Sequence, residues 1–300
     1  MRPLAAIDIG SNTVHLLVGL PKKDKPIEHL ASQSELLELG REVQRFGRIR
    51  GKKLRQVQEV LEEQIRVARK LGAKEILIAA TGAFRLAENG LAAAQKLERH
   101  LGVDVHVLSA EAEARLAFLG SNLELEPRGS QVLIDGGGAS TEVTLTTGRR
   151  RRAAVSMEVG ASMLCAELKH DPPGPLEWAR LSLKLADALA TLPKKPAPTR
   201  AIAVGGAAHR IEELHGGKRG APVHLQDLER IARRLLRHRA RRIARDTGIE
   251  KKKITLLAAG TLILHAVLAH YGMGSVVIGH HGLRDGMIAA HQKRKGNWWR

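Results

Sequence analysis

Aromatic residues and cysteine are both scarce in this chain of 300 residues, and each scarcity narrows what the protein can be. Phe, Trp and Tyr together make up only 2% of the sequence. We therefore expect a core of Leu, Val, Ile and Ala, and no aromatic platform on which nucleic-acid bases could stack. The single cysteine, Cys165, excludes an intramolecular disulfide and a cysteine-rich metal site, and its helix-like surroundings favour an inert core thiol.

Long apolar runs are also missing. The longest apolar segment, residues 254–269, is shorter than the roughly 20 residues that cross a bilayer, and His265 interrupts it. The first apolar stretch is broken by Asp8, and no signal-peptide cleavage site follows it. We therefore expect a soluble cytoplasmic protein with no membrane partner.

Acidic residues are the minority charge. Lys and Arg number 49 against 31 Asp and Glu, which gives a formal net charge of +18 and favours a polyanionic partner or substrate. Cations are dense between Arg41 and Arg55, where we expect a solvated loop, and at Arg149 to Arg152, where we expect a hairpin tip. Charge alone does not identify the polyanion.

Two common phosphate-handling motifs are absent. No Gly-x4-Gly-Lys-Ser/Thr sequence occurs, which argues against a P-loop kinase. Cys165 is not followed by an arginine six residues later, which argues against a cysteine phosphatase.

One stretch does carry chemistry. Apolar residues 132–134 end at Asp135, residues 136–139 have little or no side chain, and an alternating strand resumes after Glu142. This pattern predicts a strand, a tight turn and a second strand. Because no Cβ intervenes, backbone N–H groups of the turn can approach an anion closely, while Asp135 can hold a divalent cation against it. A plain glycine-rich hairpin would explain the same residues.

A second copy of this pattern lies near the N-terminus. Asp8 again follows an apolar strand, small polar residues follow at 10–13, and an apolar strand resumes at Leu16. The chain is long enough for two domains with separate cores. Two such turns predict two similar halves that face each other across a phosphate. The pair resembles the phosphate loops of the actin, sugar-kinase and Hsp70 superfamily.

Three further motifs are weaker alone. Arg85 lies in a loop after a strand and could direct a bidentate guanidinium at a phosphate, although a surface arginine is the simpler interpretation. Ser109 is a plausible helix N-cap with acids in the first turn, which alone accounts for those acids. Gly205-Gly206 ends a strand and opens a helix, a geometry that suits an anion but also close packing.

Taken in chain order, six motifs resemble the exopolyphosphatase and guanosine pentaphosphate phosphohydrolase family in its short, two-domain form. The motifs cover nearly the whole chain. They are Asp8-Ile9-Gly10-Ser11-Asn12-Thr13, Thr81 to Asn89 with Arg85, Ser109 to Arg115, Asp135 to Glu142, Gly205-Gly206, and Gly282-Leu283-Arg284-Asp285-Gly286.

The chain departs from the family's pattern in small ways. Gly136 stands where the family has an aliphatic residue, and Ala139 stands at its last loop glycine. Before the catalytic helix Ala110 replaces a glycine, and Ala112 replaces the first of two glutamates. The second of these glutamates is present as Glu113. We therefore expect the departures to affect the fine tuning of the catalytic site more than the reaction that it carries out.

The resemblance implies an α/β fold of two ribonuclease H-like domains of the actin, sugar-kinase and Hsp70 type, facing an interdomain cleft. The domains would span residues 1–119 and 120–300, with the last helix able to return to the first domain.

The resemblance also implies an exopolyphosphatase, which hydrolyses the terminal phosphoanhydride of inorganic polyphosphate. Glu113 would be the general base for an attacking water. Asp135, Asp8 and Glu142 would hold Mg²⁺, with Mn²⁺ as a substitute. The phosphate-binding residues would be Gly10, Ser11, Asn12, Thr13, Arg85, Gly137, Gly138, Ala139, Ser140, Gly205 and Gly206.

Other functions stay open at this point. The substrate could be pppGpp or another nucleoside polyphosphate, and the protein could be a homodimer. A non-catalytic protein that binds polyphosphate or nucleic acid is a further alternative, against which Glu113, Asp135 and Glu142 argue. Any nucleic-acid binding would then be nonspecific. A sugar kinase would share the phosphate loops, but the Glu113 motif favours water as the acceptor.

Overall fold

The computed structural model describes residues 2–22, 26–125, 128–294 and 297–299. Its strands are β1 (Leu4–Ile9), β2 (Thr13–Leu20), β3 (Glu28–Leu36), β4 (Glu75–Ala80), β5 (Val105–Val107), β6 (Ser130–Gly136), β7 (Thr141–Thr147), β8 (Arg150–Met157), β9 (Arg200–Val204), β10 (Pro222–His224) and β11 (Ser275–Ile278). Its helices are α1 (Leu39–Phe46), α2 (Gly51–Lys70), α3 (Gly82–Leu86), α4 (Gly90–Leu101), α5 (Ala110–Glu124), α6 (Ala161–Ala166), α7 (Pro175–Leu189), α8 (Gly206–His215), α9 (Leu225–Arg237), α10 (Ala240–Thr247), α11 (Lys251–His270) and α12 (Leu283–Arg294).

The chain divides into two compact units. Unit 1 consists of Met1–Glu126 and His281–Arg300, and unit 2 consists of Pro127–His280. The division into domains at residues 119 and 120 stays a prediction.

Each unit is built on one sheet with the same core topology. In unit 1 the strand order is β3-β2-β1-β4-β5, with β1, β2 and β3 antiparallel and β1, β4 and β5 parallel. In unit 2 the order is β8-β7-β6-β9-β11, with the same pairing directions, and β10 adds an antiparallel edge strand. Three strands in a meander followed by two parallel strands is the ribonuclease H-like arrangement, which confirms the predicted fold class.

Strand β1 shows how the sheet of unit 1 is buried on both faces. Side chains alternate along a strand, so Ile7 and its odd-numbered neighbours pack into the cluster that includes α2 and α4. Ala6 and its even-numbered neighbours pack into a second cluster with Leu116 of α5 and Met287 of α12. Helices therefore cover both faces of the sheet at β1, whose sequence is a nearly continuous apolar run.

Unit 2 is centred on α11. Among the described helices, only α11 has the length and apolar composition of a membrane span. Its apolar residues, such as Leu257, Ile263 and Leu268, are buried in the core of unit 2. The helix therefore packs as a core helix of this unit.

The prediction of a solvated loop between Arg41 and Arg55 is wrong. The segment forms α1 and the start of α2, and Arg50 donates two hydrogen bonds to the buried carboxylate of Glu42, at 2.8 and 3.2 Å. The Arg50 guanidinium also lies 3.6 Å from the Phe46 ring centroid. These contacts join residues across the turn between the two helices, so the cationic composition alone did not reveal them.

Residues 225–245 are divided between two helices in the structure. Helix α9 ends at Arg237 and α10 begins at Ala240. The N–H of Ala240 donates to Asp171 Oδ1 at 2.7 Å, so a carboxylate from a distant loop satisfies the start of α10.

The described part of the C-terminal segment is docked on unit 1. Trp298 is 3% exposed, its carbonyl oxygen accepts a hydrogen bond from Arg115, and both Trp298 and Trp299 contact the His106 ring. Arg300 lies outside the described residues.

Candidate active site

The first phosphate-loop candidate connects β1 to β2. The N–H of Gly10 donates to Thr13 O at 3.1 Å and closes the turn. Ser11 is buried, whereas Asp8, at the end of β1, is partly buried. Gly10 packs tightly, because a Cβ there would lie 3.0 Å from Thr13 O and 3.9 Å from Asp8 Oδ2.

The carbonyl oxygens of this loop are held from one side. Ser11 O accepts from the N–H of Gly40 at 2.5 Å, and Asn12 O accepts from the N–H groups of Leu37 and Glu38 at 2.8 and 2.9 Å. Glu38 has a φ of 55°, in the left-handed region that residues other than glycine rarely adopt. The start of α1 thus fixes the loop through its carbonyls.

The second loop connects β6 to β7 and repeats this construction. The N–H of Gly137 donates to Ser140 O at 3.0 Å, and Ala139 is 3% exposed. Gly137 O and Gly138 O accept from the first N–H groups of α6, Ala161 and Ser162, at 3.0 and 2.9 Å.

The two loops are equivalent position by position. In each, the glycine two residues after the aspartate donates to the carbonyl five residues after it, as Gly10 to Thr13 and Gly137 to Ser140. In each, the helix after the third strand of the meander binds the loop carbonyls. The duplication predicted from the sequence is present in the structure.

Glycines in the neighbouring segments allow the starts of α1 and α6 to approach the two loops closely. A Cβ on Gly160, just before α6, would lie 2.4 Å from the carbonyl carbon of Gly138. A Cβ on Gly40, in α1, would lie 3.1 Å from Ser11 Cβ. The sequence reasoning missed both residues, and aligning the two halves on Asp8 and Asp135 would have drawn attention to the helix starts that carry them.

Glu142 supports the second loop from β7, where it pairs in register with Asp135. It is 3% exposed, and its Oε1 accepts hydrogen bonds from the hydroxyls of Ser140 and Ser156 at 2.7 and 2.9 Å. A buried carboxylate needs such donors. The direct effect of Glu142 is therefore to orient Ser140 of the loop.

Gly205 and Gly206 reach the same place in unit 2. Gly205 has a φ of 96°, and a Cβ there would lie 3.1 Å from Asp135 Oδ1 and 3.0 Å from Gly136 O. Gly206 opens α8, whose N-terminal N–H groups carry a partial positive charge. Asp135, the 137–140 loop and the start of α8 thus form one cluster at the carboxyl ends of β6 and β9.

Glu113 and Arg85 form an ion pair in unit 1. Arg85 Nη1 donates to Glu113 Oε2 at 2.6 Å and to Leu108 O at 3.1 Å. The two side chains are 12% and 21% exposed for Glu113 and Arg85. Glu113 lies in the first turn of α5, which Ser109 caps by accepting the N–H of Ala112 at 3.1 Å, as predicted. The pairing of the two side chains was not predicted.

This ion pair lies on the same sheet edge as the first loop. Thr81, just after β4, donates its N–H to Ile9 O at 3.1 Å, next to Gly10. Leu108, just after β5, donates its N–H to Ala80 O at 2.9 Å. The carboxyl ends of β1, β4 and β5 are therefore adjacent, and they place Arg85, Glu113 and the first loop on the edge where ligands of α/β sheets bind.

Each unit offers a turn rich in backbone donors and a carboxylate at a strand end. Unit 1 adds the partly buried guanidinium of Arg85 beside the carboxylate of Glu113. Backbone donors and Arg suit phosphoryl oxygens. Carboxylates at the strand ends suit a hard divalent cation such as Mg²⁺.

Known proteins resemble this chain in both sequence and fold. The sequence profile of the Ppx/GppA phosphatase family matches residues 20–295. Exopolyphosphatase 1 of Mycobacterium tuberculosis (strain ATCC 25618 / H37Rv) is 28% identical over 298 residues, which cover 95% of this chain and 87% of that protein. A guanosine-5'-triphosphate,3'-diphosphate pyrophosphatase of Aeromonas hydrophila is 26% identical over 95% of this chain, but the match spans only 58% of that protein.

Solved structures agree on the fold. The Aquifex aeolicus member of the Ppx/GppA protein family superposes with a TM-score of 0.83 at 22% identity and covers 99% of both chains. An exopolyphosphatase from Cytophaga hutchinsonii superposes with a TM-score of 0.88 at 19% identity, covering 97% of this chain and 98% of that one.

Proposed function

Because this chain belongs to the Ppx/GppA phosphatase family, we propose that it is a cytoplasmic exopolyphosphatase. It hydrolyses the terminal phosphoanhydride of inorganic polyphosphate and releases orthophosphate. The relatives named exopolyphosphatase support this, since the match spans most of their length. The observation that carries the proposal is the Arg85–Glu113 pair, which places a carboxylate and a phosphate-binding guanidinium side by side.

Glu113 is the general base of this mechanism. Its carboxylate accepts a proton from water as the water oxygen bonds to the terminal phosphorus, and the bridging P–O bond breaks in line. The leaving group is the polyphosphate shortened by one unit. Arg85 orients the Glu113 carboxylate through the hydrogen bond from Nη1 to Oε2.

Arg85 also binds substrate. Its Nη1 donates to Glu113 and Leu108. A planar guanidinium is suited to phosphoryl oxygens, and Arg85 would hold the terminal phosphate beside Glu113.

Each loop is suited to binding a phosphate. Backbone N–H groups of the loop that begins at Gly10 and of the loop that begins at Gly137 would neutralise charge on phosphoryl oxygens, as preorganised donors do. The start of α8 at Gly205 and Gly206 adds the positive end of a helix.

A divalent cation, Mg²⁺ with Mn²⁺ as a substitute, fits the residues present. Asp135 holds it with support from Glu142, and Asp8 offers a second carboxylate at the equivalent position of the first loop. The fit rests on Gly205, since a Cβ there would fill the space beside Asp135 Oδ1, at 3.1 Å. The cation supplies neutralisation of charge on the phosphoryl oxygens.

A pppGpp 5′-phosphohydrolase is the second candidate, favoured by the relatives named for that activity. Their match spans only 58% of their length, and this chain has few aromatic residues for stacking a guanine base. Its net charge of +18 suits a long polyanion better.

A single assay separates these candidates. Orthophosphate release is measured with long polyphosphate, short polyphosphate, pppGpp, ATP and ADP, each with Mg²⁺ and in excess EDTA. We expect release from polyphosphate that requires the cation. Release from pppGpp alone would select the second candidate, and no release from any substrate would favour a binding protein.

The variant Glu113→Gln tests the mechanism. Turnover should fall about 100-fold or more, the scale of general-base catalysis, with little change in polyphosphate affinity. A folded variant with near-normal turnover would remove Glu113 from this role.

A further inference from the structure

A second cluster of ligand-type side chains lies in unit 1, formed by His29, His281 and Asp285. His29 Nε2 lies 2.7 Å and His281 Nε2 lies 3.8 Å from Asp285 Oδ1. One ligand atom from each residue lies within 4.8 Å of the other two. His281 and Asp285 are 8% and 4% exposed, whereas the His29 side chain is 35% exposed, so the cluster is buried but open on one side.

Neighbouring groups orient two of the three side chains. Glu124 Oε2 lies 3.2 Å from His281 Nδ1, and Nε2 of that ring lies 3.3 Å from Ile27 O and 3.8 Å from Asp285 Oδ1. Metal binding would therefore replace the hydrogen bond between Nε2 and Ile27 O. Asp285 Oδ2 accepts the N–H of Gly282 at 3.0 Å, which leaves Oδ1 directed at the histidines. A carboxylate behind a histidine is the outer-shell arrangement typical of metal-ligating imidazoles.

We propose that His29, His281 and Asp285 bind a transition-metal ion of the Zn²⁺ class, with water as the fourth ligand. Zinc bonds of about 2.0–2.2 Å in a tetrahedron place ligand atoms about 3.3 Å apart. The 2.7 Å and 3.8 Å separations lie on either side of that value. The two histidine nitrogens lie within 4.8 Å of each other, so the exposed ring of His29 would have to move toward His281 to complete the tetrahedral geometry.

The donor set selects this class of metal. Two imidazole nitrogens and one carboxylate suit Zn²⁺ and Co²⁺, whereas Mg²⁺ prefers oxygen ligands and retains its water. The site is therefore chemically different from the carboxylate cation site proposed at Asp135.

The cluster is also remote from the candidate active-site edge of unit 1. His29 pairs with Gly19 near the end of β2 that is opposite Thr13, which is about 20 Å away at 3.3 Å per residue. Glu124 is in the last turn of α5, about 16 Å from Glu113 at 1.5 Å per residue. A metal here would join β3 to α12, with α5 attached through Glu124. Its role would be to hold the helix that carries Glu113, not to take part in hydrolysis.

The test uses the full chain without a histidine tag, stripped of metal with a chelator and titrated with Co²⁺. Tetrahedral Co²⁺ absorbs visible light, so the spectrum reports the geometry and the titration reports the stoichiometry. We expect one Co²⁺ per chain, displaced by Zn²⁺ and not by Mg²⁺. The variant His29→Gln should lose the tetrahedral spectrum and weaken binding at least tenfold.

A matched control is His100→Gln. His100 is also a partly exposed histidine beside a carboxylate, with Nε2 at 2.7 Å from Glu62 Oε1, but it belongs to no such cluster within the described residues. Its variant should bind Co²⁺ like the unmodified chain. Because His29 is at the surface, its variant should fold even if changes at buried His281 or Asp285 do not. Equal binding by the His29 variant and the control, or no stoichiometric binding by the unmodified chain, would overturn the proposal.

Discussion

The Arg85–Glu113 pair allows a sharp energetic test. Arg85 Nη1 bridges the Glu113 carboxylate and Leu108 O, and both side chains are mostly buried. Changing Arg85 to Met removes the charge and keeps much of the side-chain volume. Glu113 is then left ionised without the Arg85 guanidinium, and Leu108 O loses one hydrogen-bond donor.

The expected size follows from that burial. Breaking a fully buried ion pair costs about 3–5 kcal/mol. Glu113 and Arg85 retain 12% and 21% exposure, so we expect about 2–3 kcal/mol of destabilisation for Arg85→Met. Adding Glu113→Gln removes the uncompensated charge. The remaining destabilisation then comes mainly from the hydrogen bond that Leu108 O has lost, about 1 kcal/mol. The double variant should therefore be more stable than Arg85→Met alone, by about 1–2 kcal/mol.

Urea unfolding of the unmodified chain, both single variants and the double variant measures this coupling. The effects should be non-additive by at least 1 kcal/mol, well above the few tenths expected of independent sites. Additive effects would show that the ion pair has no energetic role in solution. The proposed mechanism would then lose the support of Arg85 as the residue that orients Glu113.

Three further outcomes are expected. Asp135→Ala should abolish metal-dependent orthophosphate release, and full activity of the unmodified chain in excess EDTA would contradict the metal assignment. Neutralising Arg149 to Arg152 should weaken the binding of long polyphosphate more than that of short substrates, and should flatten the salt dependence of the affinity for long polyphosphate. The reason is that the hairpin lies about 20 Å along β7 from the second loop. Equal losses of affinity for both substrates would exclude the hairpin from the binding track. Gly120→Ala should lower the free energy of unfolding by about 3 kcal/mol or more, because its Cβ would lie 1.9 Å from Gly282 O. Gly274→Ala is the control and should be tolerated, because there is open space at its Cβ. Urea denaturation of this last pair checks the difference.

The parts of the fold that the sequence predicted are those with local signals. Aspartate followed by small residues at a strand end identified both loops, and Ser109 was correctly identified as the cap of α5.

The parts that escaped prediction depend on contacts between distant residues. The N–H of Ala240 is bound by Asp171, which the periodicity of a basic helix cannot show. The pairing of Arg85 with Glu113 joins two motifs that each looked ordinary alone, a surface arginine and an acid in a first helical turn. The sequence supplied both residues, but only the packing of α3 against the start of α5 shows that they act on each other.

The Gly282–Gly286 motif gains its meaning from α5. In the family resemblance it accompanies the catalytic motifs, yet none of its residues was assigned a role in hydrolysis. Its glycines allow α12 to cross α5 at backbone distance, since a Cβ on Gly286 would lie 1.8 Å from Leu116 O and one on Gly120 would lie 1.9 Å from Gly282 O. A general base must be held within about half an ångström to act. The motif therefore acts at a distance, by fixing the helix whose first turn carries Glu113.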